Sequence, residues 1–205
     1  MSDNTRSLIF LLVMALIVGN VLAGISLGLK DRVEKNKEMM RVRSLLDVLD
    51  VRDRENKTDE QLFALYERVI RQDKQAQPTL YLYQDRGQTL AYAFDIGGRG
   101  LWDKIKGFLA VEKDGLSVRG IRFYEQSETP GLGGDIGTPR FERLFQNKKI
   151  SRQGEFLHIV KAGSKAELST TEVDGITGAT LTCEAVNKFL TPAIERFQKR
   201  LEQIK

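Results

Sequence analysis

The sequence predicts an α+β protein in which a single N-terminal transmembrane helix precedes one mixed α/β domain built on antiparallel hairpins. Three observations support this prediction. Residues 7–29 contain no charged side chain, two strand-turn-strand patterns occupy the middle of the chain, and a long helical pattern closes it. Helices first, hairpins next and a helix last is an order typical of α+β folds, since βαβ folds alternate their elements.

The uncharged segment at residues 7–29 is bracketed by Arg6 and Lys30. A helix of that length is about 34 Å long, enough to cross a hydrocarbon core of about 30 Å. The apolar region of a cleaved signal peptide is normally about 7–15 residues long, so the length favours a retained anchor, although residues 21–23 fit a cleavage site. Asn20 is the one strongly polar side chain in the span and a candidate contact with another membrane helix.

The next segment, residues 30–78, is predicted to be helical and close to the membrane. The first helix continues to about Leu49, and a second begins at Thr58, where Thr58 and Gln61 have the spacing of a capping box. We therefore divide the chain into a short tail at 1–6, the transmembrane helix at 7–29, the helical segment at 30–78 and the domain proper at 79–205.

The domain begins with two predicted hairpins. Strands at 79–83 and 89–94 flank a turn at 85–87, and strands at 108–111 and 117–124 flank Asp114-Gly115. The remaining predicted elements are a short helix at 140–146, a strand at 156–160 and a final helix from about Cys183, kinked or restarted at Pro192.

Composition excludes several kinds of site. The 205 residues include one Cys, Cys183, and one His, His158, so an intrachain disulfide and the usual Cys/His zinc site are excluded. A catalytic triad would depend on His158 alone, and its strand context favours a partly buried structural role. The formal net charge of +4 is too small to indicate nucleic-acid binding. We expect no metal ligand, no catalytic acid or base and no nucleic-acid partner.

The segment 174–182 joins a strand-like stretch to the final helix. Backbone N–H groups at a helix N-terminus can hold an anion, and the helix dipole adds to that attraction. Gly178 and Ala179 are small enough for a ligand to approach the backbone, and the hydroxyls of Thr177 and Thr180 stand three residues apart. The local pattern alone also fits an ordinary helix cap.

Two further segments are rich in glycine. Residues 128–134 read Glu-Thr-Pro-Gly-Leu-Gly-Gly, and residues 98–102 read Gly-Arg-Gly-Leu-Trp. The first could bring backbone amides close to a ligand, and Trp102 could form a wall for an aromatic ring. Ile136 stands where a dinucleotide-binding fingerprint needs its third glycine, which excludes a Rossmann site.

Together the three segments resemble the FMN-binding domain family of membrane-bound, ion-translocating electron-transfer complexes. Asp174-x-x-Thr177-Gly178-Ala179-Thr180 is similar to the family's flavinylation motif. The resemblance covers about residues 92–186 and the N-terminal anchor. The combined form most resembles C subunits of Na⁺-translocating NADH:quinone reductases, and the G subunits of Rnf ferredoxin:NAD oxidoreductase complexes are the alternative.

The resemblance implies a covalent FMN, joined through its phosphate to the Thr180 hydroxyl. It also implies that a separate flavin transferase, which takes FMN from FAD, recognises the motif that contains Asp174. The implied cofactor-binding residues fall into a group at the motif and a group on the other two segments: Thr177, Gly178, Ala179, Thr180 and Leu181; Glu128, Thr129, Gly131, Leu132, Gly133 and Trp102.

The implied function is electron transfer between redox centres of a membrane complex, with the complex's other subunits and the flavin transferase as partners. Two other interpretations stay open: a membrane-anchored module whose flavin regulates a partner, and a scaffold domain in which the motif only caps a helix. The chain is short for a family member of the C type, which leaves the Rnf alternative open.

The flanking charges and the resemblance predict opposite membrane orientations for the domain. Six Lys or Arg residues follow the anchor between positions 30 and 43, and the positive-inside rule would keep the domain in the cytoplasm. The family places the domain on the periplasmic side of the bacterial inner membrane. We expect the periplasmic location, because a long following domain can be translocated against the charge bias.

Overall fold

The computed structural model describes residues 3–150 and 156–204. It divides into two units, one ending at Met40 and one beginning at Arg41. Helix α1, Asp3–Val48, is continuous over 46 residues, which confirms the predicted continuation beyond the apolar segment. Within the described residues it is the one helix long and apolar enough to cross a membrane, with a mean hydropathy of 2.7 over its most apolar window.

Helix α2, Asp59–Val69, begins where the capping box predicts. Thr58 is its N-cap, the backbone N–H of Thr58 donates to Gln61 Oε1 at 3.1 Å, and the Gln61 N–H donates to Thr58 Oγ1 at 3.4 Å. These two bonds satisfy amides that the first helical turn leaves free. The chain passes directly from α2 into strand β1, Ile70–Asp73.

Five antiparallel strands form a meander in the order β1-β2-β3-β4-β5. The other strands are β2 at Leu80–Asp85, β3 at Gln88–Arg99, β4 at Lys104–Glu112 and β5 at Val118–Glu125. Both predicted hairpins are present. Strand β1 pairs with β2, so the sheet begins within the 30–78 segment that we expected to be helical and precedes the predicted domain start at residue 79.

Three short helical segments and a small second sheet follow β5 among the described residues. The first segment is a 3-10 turn, Gly133–Gly137. Helix α3, Pro139–Glu142, is capped by Thr138 and continues into a 3-10 turn, Arg143–Phe145. Strand β6, His158–Ile159, pairs in parallel with β7, Glu172–Val173. Strand β6 is shorter than the predicted strand at 156–160, and β7 is the strand-like stretch expected before residue 174, although its bounds and its partner were not predicted. Two-residue strands carry too little alternation for a sequence pattern to reveal.

Helix α4, Thr180–Ile204, packs one face on the sheet. The Phe197 ring stacks on Phe94 of β3, with centroids 4.5 Å apart and planes 12° from parallel. The helix begins three residues before the predicted start at Cys183 and continues through Pro192 as one element. This correction matters because it makes Thr180 the first residue of the helix.

Candidate cofactor-binding site

Three segments far apart in the sequence meet at the start of α4. They enclose a cavity of about 210 Å³. The loop between β3 and β4 contributes Leu101 and Trp102. The loop after β5 and the start of α4 contribute Glu128, Thr129, Leu132 and Gly133, and Gly178, Ala179, Thr180, Leu181 and Thr182.

Nine of the twelve residues selected from the sequence lie on this cavity. The other three, Gly131, Thr177 and Asp174, are not among its lining residues. Gly131 donates its N–H to Asp135 Oδ1 at 3.1 Å, and Asp174 accepts the Gly163 N–H at 3.0 Å. Asp174 therefore holds the turn at Gly163, which follows β6, in place and does not form a wall of the cavity.

Two lining residues were missed. Leu101 lies inside the Gly-Arg-Gly-Leu-Trp segment that we singled out, next to Trp102, so its position was a usable signal. Thr182 likewise lies inside the 174–182 segment that we singled out. It lies in the first turn of α4 and only 2% of it is exposed, and a helix start placed at Cys183 left its side-chain direction undefined.

The cavity contains the N-terminus of a long helix. Gly178 has φ +80°, a left-handed conformation that glycine adopts without steric cost, and the Ala179 N–H closes the turn on Ile176 O at 3.0 Å. The first helical bond runs from Cys183 N–H to Ala179 O. The amides of Thr180, Leu181 and Thr182 thus precede the first helical donor and point out of the helix end, a favourable environment for an anion.

Glu128 joins all three segments. Only 4% of the residue is exposed. Its Oε1 accepts the backbone N–H groups of Leu101 at 2.9 Å and Trp102 at 3.1 Å, and its Oε2 accepts the Thr182 hydroxyl at 2.8 Å. Glu128 lines the cavity, as expected from the sequence, and both of its carboxylate oxygens are bonded to protein groups.

Glycines make room for this arrangement. A methyl group at Gly133 would overlap Thr182 Oγ1 and lie 2.9 Å from Glu128 Oε2, and one at Gly100 would overlap Glu128 Oε1. Sequence reasoning assigned the glycine-rich loop to ligand approach. The structure shows that Gly100 and Gly133 also admit a buried carboxylate and its partners.

Apolar side chains surround the cavity and remain accessible to solvent. The exposed fractions are 47% for Leu101, 67% for Trp102, 43% for Leu132 and 60% for Leu181. A polar helix end beside apolar walls suits a ligand with an anionic group at one end and a flat apolar ring at the other.

In the first turn of α4, burial raises the pKa of the Cys183 thiol, which stays protonated and packs as a small residue.

Comparison with known proteins shows what this part of the chain resembles. Residues 100–195 match the model of the FMN-binding domain. They contain all the residues that line the cavity. The matched range extends from the loop before β4 to the middle of α4, and the strands β1 to β3 that complete the sheet lie outside it.

Two curated relatives of this chain carry the same description. The C subunit of the Na(+)-translocating NADH-quinone reductase of Neisseria meningitidis is 47% identical over 92 residues, 43% of this chain and 34% of the relative. The C subunit of the Haemophilus ducreyi enzyme is 40% identical over 110 residues, 53% of this chain and 42% of the relative. The chain therefore spans about two fifths of the length of the curated relatives it matches.

Two solved structures share the fold. The crystal structure of Shewanella oneidensis NqrC has a TM-score of 0.68 at 21% identity and covers 83% of this chain and 99% of its own. The C subunit of the Na(+)-translocating NADH-quinone reductase from Parabacteroides distasonis has a TM-score of 0.64 at 25% identity and covers 83% and 94%. An N-terminal apolar helix followed by an antiparallel sheet and a closing helix, as predicted, is the architecture of this chain.

Proposed function

We propose that this chain is an electron-transfer subunit of a membrane-bound Na⁺-translocating NADH:quinone reductase and carries FMN covalently on Thr180. One observation carries the proposal: Thr180 is an exposed first residue of α4, on a cavity whose other walls are the two further segments that resemble the family. Thr177 is exposed but does not line the cavity, so Thr180 is the better candidate of the two motif hydroxyls.

The residues present fit a flavin phosphate at Thr180. In the attachment step the Thr180 Oγ1 forms the new bond to phosphorus, the phosphoanhydride bond of FAD breaks, AMP leaves and the hydroxyl proton is released. The transferase supplies this chemistry. The chain contributes an accessible hydroxyl and the amides of the first turn of α4, which favour a nearby negative charge.

The apolar residues Trp102, Leu132 and Leu181 would hold the ring system at the other end of the cavity. When bound, the flavin supplies the capacity to accept and release electrons. The described residues place no His or Lys on the cavity lining, and the proposed role needs none, because electron relay requires position and electrostatics more than proton transfer to a substrate.

The curated relatives quoted above are C subunits, which favours the quinone-reductase assignment over an Rnf G subunit or a regulatory module. Helix α1 would anchor the chain by a single span in the bacterial inner membrane, with the FMN-binding domain on the periplasmic side. The other subunits of the complex would be the electron donor and acceptor, and the flavin transferase would act during maturation.

The decisive experiment is the mass of the peptide that contains Thr180, from the full chain coexpressed with a flavin transferase. We expect an increase that corresponds to one esterified FMN, lost in Thr180→Val and kept in the control Thr170→Val, which changes an exposed threonine that does not line the cavity. An increase that persists in Thr180→Val would place the flavin elsewhere. An unmodified wild-type peptide would contradict covalent attachment.

Membership of the complex is tested separately by affinity purification of the full chain from the native membrane. We expect multi-span redox subunits to copurify and NADH-dependent quinone reduction to be present. Copurification with ferredoxin-dependent subunits would instead support the Rnf alternative, and a monomeric flavoprotein would support a regulatory module.

A further inference from the structure

We propose that Glu128 is a positioning residue whose carboxylate ties the Leu101–Trp102 wall of the cavity to the first turn of α4. This inference rests on the proposed function, since its consequence is the placement of Trp102 relative to Thr180. The tie joins segments that are 26 to 54 residues apart in sequence. One carboxylate thus connects two walls of the cavity that the chain builds from distant segments.

The Glu128 carboxylate has little conformational freedom. Three donors hold its two oxygens at 2.8 to 3.1 Å, and the Glu128 N–H itself donates to Gln126 Oε1 at 2.6 Å. A side chain that is bonded at both oxygens and 4% exposed can leave its rotamer only by breaking these bonds inside the protein. The rigid carboxylate therefore fixes the distance between its partners.

The donors of this tie are neutral. Among the described residues, no Lys, Arg or His lies within 4 Å of the Glu128 carboxylate, which distinguishes it from Glu142 and Glu172. A buried carboxylate without a cation depends on its hydrogen bonds for its stability, so the Leu101 and Trp102 amides and the Thr182 hydroxyl are its means of burial. The same three hydrogen bonds thus stabilise the buried Glu128 carboxylate and fix its position.

The geometry explains why one hydroxyl of the motif region is buried and another exposed. Thr182 points to Glu128, and Thr180 two residues earlier is exposed at the cavity. Successive helix residues are about 100° apart around the axis, so Thr180 and Thr182 face different directions. Fixing Thr182 fixes the rotation of the first turn and with it the direction of the Thr180 hydroxyl.

The test uses four variants of the full chain in detergent, with a fifth as control. Glu128→Gln keeps the tie, because the amide oxygen accepts the two backbone N–H groups and the Thr182 hydroxyl can accept from the amide NH₂. Glu128→Leu removes it at similar size. Thr182→Val removes only the α4 end and Thr182→Ser restores it. Glu125→Gln is the matched control, a glutamate paired with Lys106 outside the cavity.

The first readout needs no flavin. Amide hydrogen exchange at Leu101 and Trp102 is expected to be about tenfold faster or more in Glu128→Leu, and unchanged in Glu128→Gln and Glu125→Gln. The second readout is the fraction of Thr180 that carries FMN after timed incubation with the transferase and FAD. We expect several-fold slower attachment in Glu128→Leu and Thr182→Val and normal attachment in Glu128→Gln and Thr182→Ser.

Wild-type exchange and attachment in Glu128→Leu or Thr182→Val would overturn the proposal, as would faster exchange with wild-type attachment. Equal losses in Glu128→Gln and Glu128→Leu would also overturn it, because charge and not the tie would then matter. Should Glu128→Leu fail to fold, the Thr182 pair decides. If wild type takes up no FMN at all, the proposed function fails, and the exchange rates still decide whether the tie exists.

Discussion

The Leu132 side chain rests against the backbone of Gly178, so that a Cβ added at Gly178 would lie 2.9 Å from Leu132 Cδ2. The two residues belong to different glycine-containing segments, 46 positions apart by residue number. Their contact brings the loop after β5 onto the turn that starts α4. The relationship makes Gly178 a point where backbone conformation and cavity shape can be tested together.

We expect Gly178→Ala to destabilise the domain by about 1–2 kcal/mol and to slow FMN attachment, because the new methyl group meets Leu132 and the φ of +80° becomes strained. The matched control is Gly163→Ala, where φ is +64° but a Cβ meets nothing within 4 Å. The free energies of unfolding of both variants in denaturant separate the cost of a non-glycine residue at positive φ from the cost of the clash with Leu132. Equal effects would show that the Leu132 contact contributes nothing.

The emission of Trp102 is expected to fall when FMN is attached. Trp102 is the sole tryptophan and lines the same cavity as Thr180, and a flavin absorbs in the range of tryptophan emission. Emission is compared between the flavin-carrying chain and Thr180→Val at equal concentration. The difference should shrink in denaturant, where the two residues separate. Equal emission in the folded proteins would mean that the flavin lies away from Trp102.

Glu142 is expected to make stability depend on pH. Burial raises its pKa from 4.5 to about 7, against the opposing effects of the Phe123 N–H at 2.9 Å and Arg122 Nη1 at 2.7 Å. Arg122 is itself imperfectly satisfied, since its buried Nε has no hydrogen-bond partner among the described residues. The folded state therefore binds a proton that the unfolded state has released between these two pH values.

The stabilisation from that proton is complete below about pH 4.5 and is lost as the pH rises to about 7. We expect the unfolding free energy of the wild type to fall by roughly 2–3 kcal/mol over this window relative to Glu142→Gln. Denaturant titrations at several pH values measure the difference. Parallel curves for the two proteins would contradict a raised pKa at Glu142.

Removing the Phe197 ring is expected to cost about 3–5 kcal/mol, because Phe197→Ala leaves a cavity between α4 and the sheet. The residue is 2% exposed and its ring stacks on Phe94. Thermal unfolding followed by near-ultraviolet circular dichroism measures the loss. Leu144→Ala is the control, since Leu144 is 42% exposed and should change little. Similar losses of stability in both variants would mean that burial of Phe197 between α4 and the sheet does not stabilise the domain more than an exposed leucine does.

Much of the fold was predictable because its signals are local. The capping box of α2 and the two-residue turn of the β2–β3 hairpin depend on residues within a few positions of each other. The predictions were less accurate where neighbours far along the chain decide. Strand β1 is a strand because β2 pairs with it, and β7 exists through its contact with β6.

The candidate site, like the fold, was predictable where its signals are local and not where they depend on distant residues. The motif around Thr180 and the two glycine-containing segments were visible in the sequence, because glycine, threonine and proline at fixed spacing constrain the backbone locally. That both carboxylate oxygens of Glu128 bond to the protein was not visible. Its partners lie 26 to 54 residues away, and no local pattern encodes such a distance.

By itself, the sequence determined the apolar N-terminal segment, the two hairpins and the three chemical segments. Each rests on spacing within a short window, and the proposal of Thr180 comes from the resemblance of these segments to the FMN-binding domain family. Only the tertiary structure decided that these segments share one cavity, that α4 begins at Thr180 and that Glu128 links three parts of the chain. The physical reason is that a buried carboxylate takes whichever donors packing brings within about 3 Å, and packing is a property of the folded chain.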